Sequence, residues 1–130
     1  MILNTDGGAR GNPGAAAAGI VLKNDLGEVV KQTGTFLGRC TNNEAEYKAL
    51  ILGLKEALNA QTKNLVCFLD SEFVVNQLKG TYRVKNERMA ILHTQALQLS
   101  KLFEKIEFKY VPRAQNKLAD KIVNEVLDRV

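Results

Sequence analysis

Cysteine is scarce in this 130-residue chain, and its two copies, Cys40 and Cys67, lack the spacing of metal ligands. Cys67, inside "LVCFL", reads as a small core side chain. Histidine occurs once, at position 93, beside the apolar stripe of a helical segment, and reads as structural. No apolar run approaches the roughly 20 residues that span a bilayer. The start "MILNTDGG" lacks the basic region and apolar stretch of a signal peptide, so the expectation is a cytoplasmic protein. No low-complexity tract, linker or internal repeat divides the chain, and residues 1–130 are expected to form one domain. Neither sign of charge dominates: 18 Lys and Arg against 14 Asp and Glu give +4, a mild tilt toward an anionic partner.

What remains is an ordinary globular composition, 45% apolar and 25% charged, long enough to bury one core. Residues 1 to 5 read as a short strand. "AGIVLKN" and "EVVKQTGTFL" are strand-like runs joined by the turn-forming "NDLG". "NNEAEYKALILGLKEALNA" is helical, and "NLVCFLD" is an unbroken apolar run expected of a strand buried on both faces. "SEFVVNQLKG" reads as a short helix capped by Ser71. Met89, Leu92, Ala96, Leu99 and Phe103 recur at helical spacing. "IEFKYV" alternates like a strand near a sheet edge, and "NKLADKIVNEVLDRV" closes the chain as a helix. The order β-β-β-α-β-α-α-β-α implies an α/β fold. Two hairpins followed by helical crossovers give a mixed five-stranded sheet, order 3-2-1-4-5, with strand 2 antiparallel and helices flanking it.

Such a sheet reverses direction between strands 1 and 4, and ligands bind at that kind of switch point. The residues closing those strands are Asp6 and Asp70. After Asp6, "GGARGNPG" does not match G-x-G-x-x-G and leads into a strand, so a dinucleotide loop is excluded. Asn12-Pro13-Gly14 suits a turn with Pro second and Gly third, and the glycines would let another backbone come close.

Of two glutamates at the long helix's start, Glu44 shares a face with Lys48 and Lys55, a solvated stripe with an i,i+4 ion pair. Glu46 shares its face with Leu50, Leu54 and Ala57, where a carboxylate is costly unless a cation or hydrogen bonds meet it. Asp70 has a capping alternative, and Asp120 sits in the first turns of the last helix, where any acid is favoured. Four acids around one crevice nonetheless call for divalent cations, and hard oxygen ligands select Mg²⁺ or Mn²⁺. Two such ions on shared acids suit phosphodiester hydrolysis.

The segments "TDGGARGNPG", "TNNEAEY", "LDSEFV" and "VPRAQNKLAD", in that order, resemble a type 1 ribonuclease H from end to end. The resemblance implies the ribonuclease H-like fold and cleavage of the RNA strand of an RNA/DNA hybrid by a metal-activated water. A 5′-phosphate and a 3′-hydroxyl would be left. It makes Asp6, Glu46, Asp70 and Asp120 the catalytic, metal-binding acids, with Asp6 on both ions, Glu46 and Asp70 on one and Asp120 on the other. Asn12, Asn43 and Glu72 fall where the family contacts the RNA strand and its 2′-hydroxyls. Arg39, Thr41 and Asn42 fall near its grip on the DNA strand. Gly7, Lys85, Arg113 and Asn116 complete the expected substrate contacts.

Three features depart from many family members. Glu72 replaces a glutamine. "KGTYRVKNER" runs directly into the next helix without a basic protrusion, as in archaeal and some bacterial members; Lys79, Arg83, Lys85 and Arg88, with Tyr82, are candidate phosphate contacts instead. Arg113 stands in the shortened loop where a mobile histidine is usual. The competing expectations are a hybrid- or duplex-RNA-binding module without catalysis, and a nuclease acting on double-stranded RNA or DNA. Nothing in the sequence demands more than a monomer.

Overall fold

The computed structural model describes residues 1–130. Its elements are β1 (Ile2–Gly11), β2 (Gly14–Lys23), β3 (Val29–Cys40), α1 (Asn42–Asn59), β4 (Asn64–Leu69), α2 (Glu72–Leu78), α3 (Glu87–Ser100), β5 (Lys105–Tyr110) and α4 (Lys117–Asp128). The sheet runs β3-β2-β1-β4-β5, as expected. β2 pairs antiparallel with both neighbours, while β4 pairs parallel with β1 and β5. No helix is long and apolar enough to cross a membrane.

The sheet separates two apolar layers. On one face α1 lays Leu50, Leu54 and Ala57 on Leu3, Ile20, Leu65 and Cys67, all within one buried cluster that α2 and α3 extend. On the other face α4 packs on β1, β2 and β3, covering Ala17 and Val21 with Ala119, Ile122, Val123 and Leu127. Each large aliphatic side chain buried there contributes about 1.5–3 kcal/mol.

Four local expectations need correction. β1 does not end at Thr5. Its parallel pairing with β4 stops at Thr5↔Leu69, but the strand continues along β2 to Gly11↔Gly14. Asp6 therefore sits at the fork where β1 leaves β4. With Gly11 paired to Gly14, the connecting pair is Asn12-Pro13, joined by a cis peptide, and proline is third rather than second in the turn. β4 is buried on one face only, because Val66 and Phe68 face the side that α4 leaves partly open. Phe103 is buried but lies beyond the end of α3.

Ser71 caps α2 as expected, its Oγ accepting from Val74 N at 3.3 Å. At α1 the expected Glu44–Lys48 ion pair is replaced by a capping box. Glu44 N donates to Thr41 Oγ1 at 3.1 Å, and Thr41 N donates to Glu44 Oε1 at 3.0 Å.

The α4 layer rests on a close backbone approach. A Cβ on Gly19 would run into the Ala119 carbonyl. Gly19→Ala is expected to cost about 1–3 kcal/mol, the usual penalty for overpacking, read from urea unfolding. An unchanged midpoint would mean that α4 is not pinned there.

Candidate active site

The fork between β1 and β4 opens into a cleft of about 480 Å³ lined by Asp6, Glu46, Asp70 and Asp120. Asp6 projects from β1, Glu46 from the start of α1, Asp70 from just past β4 and Asp120 from the first turn of α4. Asp6 and Glu46 are buried, Asp70 and Asp120 half-buried. Carboxylate oxygens of Asp6, Glu46 and Asp70 lie within 4.8 Å of one another. Asp120 stands outside that trio and accepts from Arg113 Nη2 at 2.9 Å.

Backbone and amide groups hold the acids. Gly7 N donates to Glu46 Oε1 at 3.3 Å. A Cβ at Gly7 would overlap the Ala45 carbonyl, so only glycine lets β1 pass the start of α1. The backbone that the glycines admit here is the chain's own. Asn116 Nδ2 donates to Thr5 O at 2.9 Å and to Asp70 Oδ2 at 3.3 Å, while its Oδ1 accepts from Asn4 Nδ2 at 3.1 Å.

The charges are only partly offset, the Arg113 guanidinium acting on Asp70 and Asp6 from beyond ion-pair distance. No basic side chain forms an ion pair with Asp6, Glu46 or Asp70. The basic-partner alternative for Glu46 therefore falls away. Burial, then the charge of Asp70, pushes the Asp6 carboxyl up to about 7. Burial and the neighbouring Asp6 hold Glu46 well above the carboxylate range, and burial raises Asp70. Glu46 Oε2 is buried without a partner. Hard oxygen donors, an orphaned buried carboxylate oxygen and clustered like charge fit a divalent cation of the Mg²⁺ type.

Comparison with known proteins agrees with this geometry. A family model described as "Reverse transcriptase-like" matches residues 4–126. RNase H1 of the halophilic archaeon Halobacterium salinarum superposes with a TM-score of 0.97 at 37% identity, over 99% of this chain and 98% of that one. The chain belongs to the type 1 ribonuclease H family. LC11-RNase H1, isolated from compost and solved with an RNA/DNA hybrid, matches at TM-score 0.94 and 34% identity, covering 98% of this chain and 96% of that one. A bifunctional protein of Mycobacterium tuberculosis is 38% identical over 129 residues, 98% of this chain; the chain spans only 35% of that relative's length.

The chain has the compact form: α2 ends at Leu78 and α3 begins at Glu87, with no helix inserted between them. A second groove of about 760 Å³ adjoins the acid cleft, and Asn43 lines both. Asn12, Thr41, Tyr82, Arg83 and Lys85 line the groove. Lys79 and Arg88 do not, and Arg39 and Glu72 are exposed outside both depressions. Asn12 Oδ1 accepts from Asn42 N, and Asn42 Oδ1 from Ala9 N, each at 3.0 Å. These bonds tie the β1–β2 hairpin to α1.

Two residues expected among the substrate contacts also brace the acids. Asn116 is 2% exposed with both polar atoms engaged, one of them on Asp70. Gly7 lines the acid cleft, with its N–H spent on Glu46. His93 is structural as read, its Nε2 3.1 Å from Gln77 O and its ring edge-on to Tyr47. Sequence reasoning missed Asn4, whose signal was a polar residue in a buried strand two positions before Asp6, on the same side of the pleat. It also missed Arg10 and Asn124, which line the cleft.

Two outcomes are expected. Asn116→Ala would strand the buried Thr5 carbonyl and Asn4 amide, costing about 1–3 kcal/mol for each group left unpaired, measured by denaturant unfolding. In chelator, Asp6 binds its proton more tightly folded than unfolded. Its contribution to stability is full below about pH 4 and is lost as pH rises through about 7. Thermal unfolding should show that decline, and Mg²⁺ should reduce it. Metal-free stability rising over that window would contradict the crowding.

Proposed function

We propose that the chain is a metal-dependent endoribonuclease that hydrolyses the RNA strand of RNA/DNA hybrids, leaving 5′-phosphate and 3′-hydroxyl ends. The observation carrying this reading is the trio Asp6, Glu46 and Asp70, within 4.8 Å of one another and without a basic ion-pair partner, in a type 1 ribonuclease H fold. The hybrid bound to LC11-RNase H1 supports the substrate class.

Asp6, Glu46, Asp70 and Asp120 would hold two divalent cations, Mg²⁺ or Mn²⁺, with Asp6 shared. Cations bound there supply charge neutralisation at the phosphate and a more acidic water. The chain's own residues supply position. Gly7 N–H and the Asn116 amide fix the directions of Glu46 and Asp70. Asn12 and Asn43, with Glu72, would meet the RNA strand and its 2′-hydroxyls. Thr41 and Asn42, with the exposed Arg39, would grip the DNA strand, and Arg83 and Lys85 in the neighbouring groove would take phosphates. Residues 1–130 act as one catalytic domain, monomeric and cytoplasmic. In support of the domain, the chain covers 98% of the Halobacterium structure.

The deciding experiment cuts one end-labelled RNA strand, annealed in turn to DNA and to RNA, with Mg²⁺, Mn²⁺ or chelator. Internal cuts are expected only in the hybrid and only with metal. Asp6→Asn should lower cleavage by about a thousandfold or more, since a metal site contributes several kcal/mol, while the fold and hybrid binding persist. Retained Mg²⁺-dependent cutting in that variant would sink the assignment; hybrid binding without cuts under every metal would make the chain a binding module.

A further inference from the structure

The four acids are not equally free. Asp6, Glu46 and Asp70 form no ion pair with a basic side chain, whereas Asp120 holds the Arg113 guanidinium at 2.9 Å. Arg113 opens a 3-10 turn, Arg113–Gln115, that carries the chain from β5 into α4. Its side chain is 77% exposed, against 26% for Asp120. The arginine thus reaches inward from solvent onto a drier carboxylate. The other basic residue lining the cleft, Arg10, is committed to Asp128 at 2.6 Å. Arg113 alone among the basic side chains is paired with one of the four acids.

We propose that Arg113 gates the cation-binding power of Asp120, occupying its carboxylate until an arriving phosphate draws the guanidinium away. The proposal rests on the metal-dependent reading above and adds an order of assembly to it. The guanidinium holds Asp120 Oδ1, and a divalent cation brought to either oxygen of that carboxylate meets its positive charge. Exchange is cheap for the arginine, because an exposed ion pair is weak, this one is a single Nη2–Oδ1 contact, and a phosphate offers a bidentate partner. Asp6, Glu46 and Asp70 therefore form the place that loads first. The place shared by Asp6 and Asp120 gains strength only when a phosphate stands at the cleft. The idle protein thereby keeps its weaker cation place closed.

The test is a calorimetric titration with Mn²⁺, and in parallel with Mg²⁺, in the absence of nucleic acid. Wild type, Arg113→Gln, Asp120→Asn and the double variant are compared. Arg113 is exposed, so its replacement should leave the fold intact, and circular dichroism checks this. Arg113→Gln should bind the more weakly held ion about three- to tenfold tighter, the scale of removing one charge near a divalent ion in a solvated site. In the Asp120→Asn background the same replacement should change little, which identifies Asp120 as the route of the effect. Unchanged or weaker binding in Arg113→Gln overturns the gate. So does an equal gain in the Asp120→Asn background, which would make Arg113 a diffuse field. The titration contains no hybrid, so its failure leaves RNA cleavage standing, and a chain that cuts no hybrid could still pass it.

Discussion

Mutual repulsion among carboxylates in a half-dry fork is the constraint on which the rest depends. Asp6, Glu46 and Asp70 would spread apart in water, yet the fold holds oxygens of all three within 4.8 Å. Something must hold them against that force, and it is the backbone. β1 is anchored on both sides, by β2 along its whole length and by β4 up to Thr5. α1 is fastened by its buried face, with Leu50, Leu54 and Ala57 fully covered. With Asp6 and Glu46 each mounted on an element that cannot retreat, burial and then the charge of a neighbouring carboxylate appear as raised proton affinity rather than as movement.

The same constraint explains why ordinary rules of local structure bend near the site. An asparagine before a helix ordinarily turns its side chain onto the helix's own N–H groups. Asn116 precedes α4 but makes no such bond; its amide goes to Thr5 O and Asp70. α4 forgoes a side-chain cap at that residue, and the carboxyl ends of β1 and β4 gain a shared strut. Gly7 follows the same logic, since a side chain there would stabilise a strand but push α1 away from Asp6. Departures of this kind gather where function, rather than folding, sets the requirement.

These departures also mark what was legible in the sequence. The sheet order followed from apolar periodicity and short connections, because burial imposes that periodicity wherever an element packs. Glu46 was separable from Glu44 by helical geometry alone, and its burial bears that out. The length of β1 was not legible: Gly7 to Gly11 carry almost no strand propensity, and only pairing with β2 makes them a strand. Nor was the role of Asn116, whose partners Thr5 and Asn4 lie 111 and 112 residues away and are fixed by α4's docking. The Arg113–Asp120 pair spans seven residues, but it depends on a 3-10 turn that propensity alone does not specify.

The shape of the site narrows what it can serve. A small-molecule pocket is mostly apolar and closes around its ligand. Here the acid cleft and the groove beside it are open and lined mostly by polar residues, and they meet at Asn43 on the first turn of α1. A substrate engaging both must be long and must present recognisable groups at two separated places. In the proposed reading a double helix would do so through its two backbones, one reaching the acids and the other the second groove. Without a basic protrusion between α2 and α3, the grip on that second strand would fall to residues such as Arg83 and Lys85 in the link itself. Two such cations make a modest electrostatic footprint, so affinity should depend less steeply on salt than in a protein with many phosphate contacts. Selectivity in the proposed reading then rests on the asparagines, which test for ribose where the strand meets the acids.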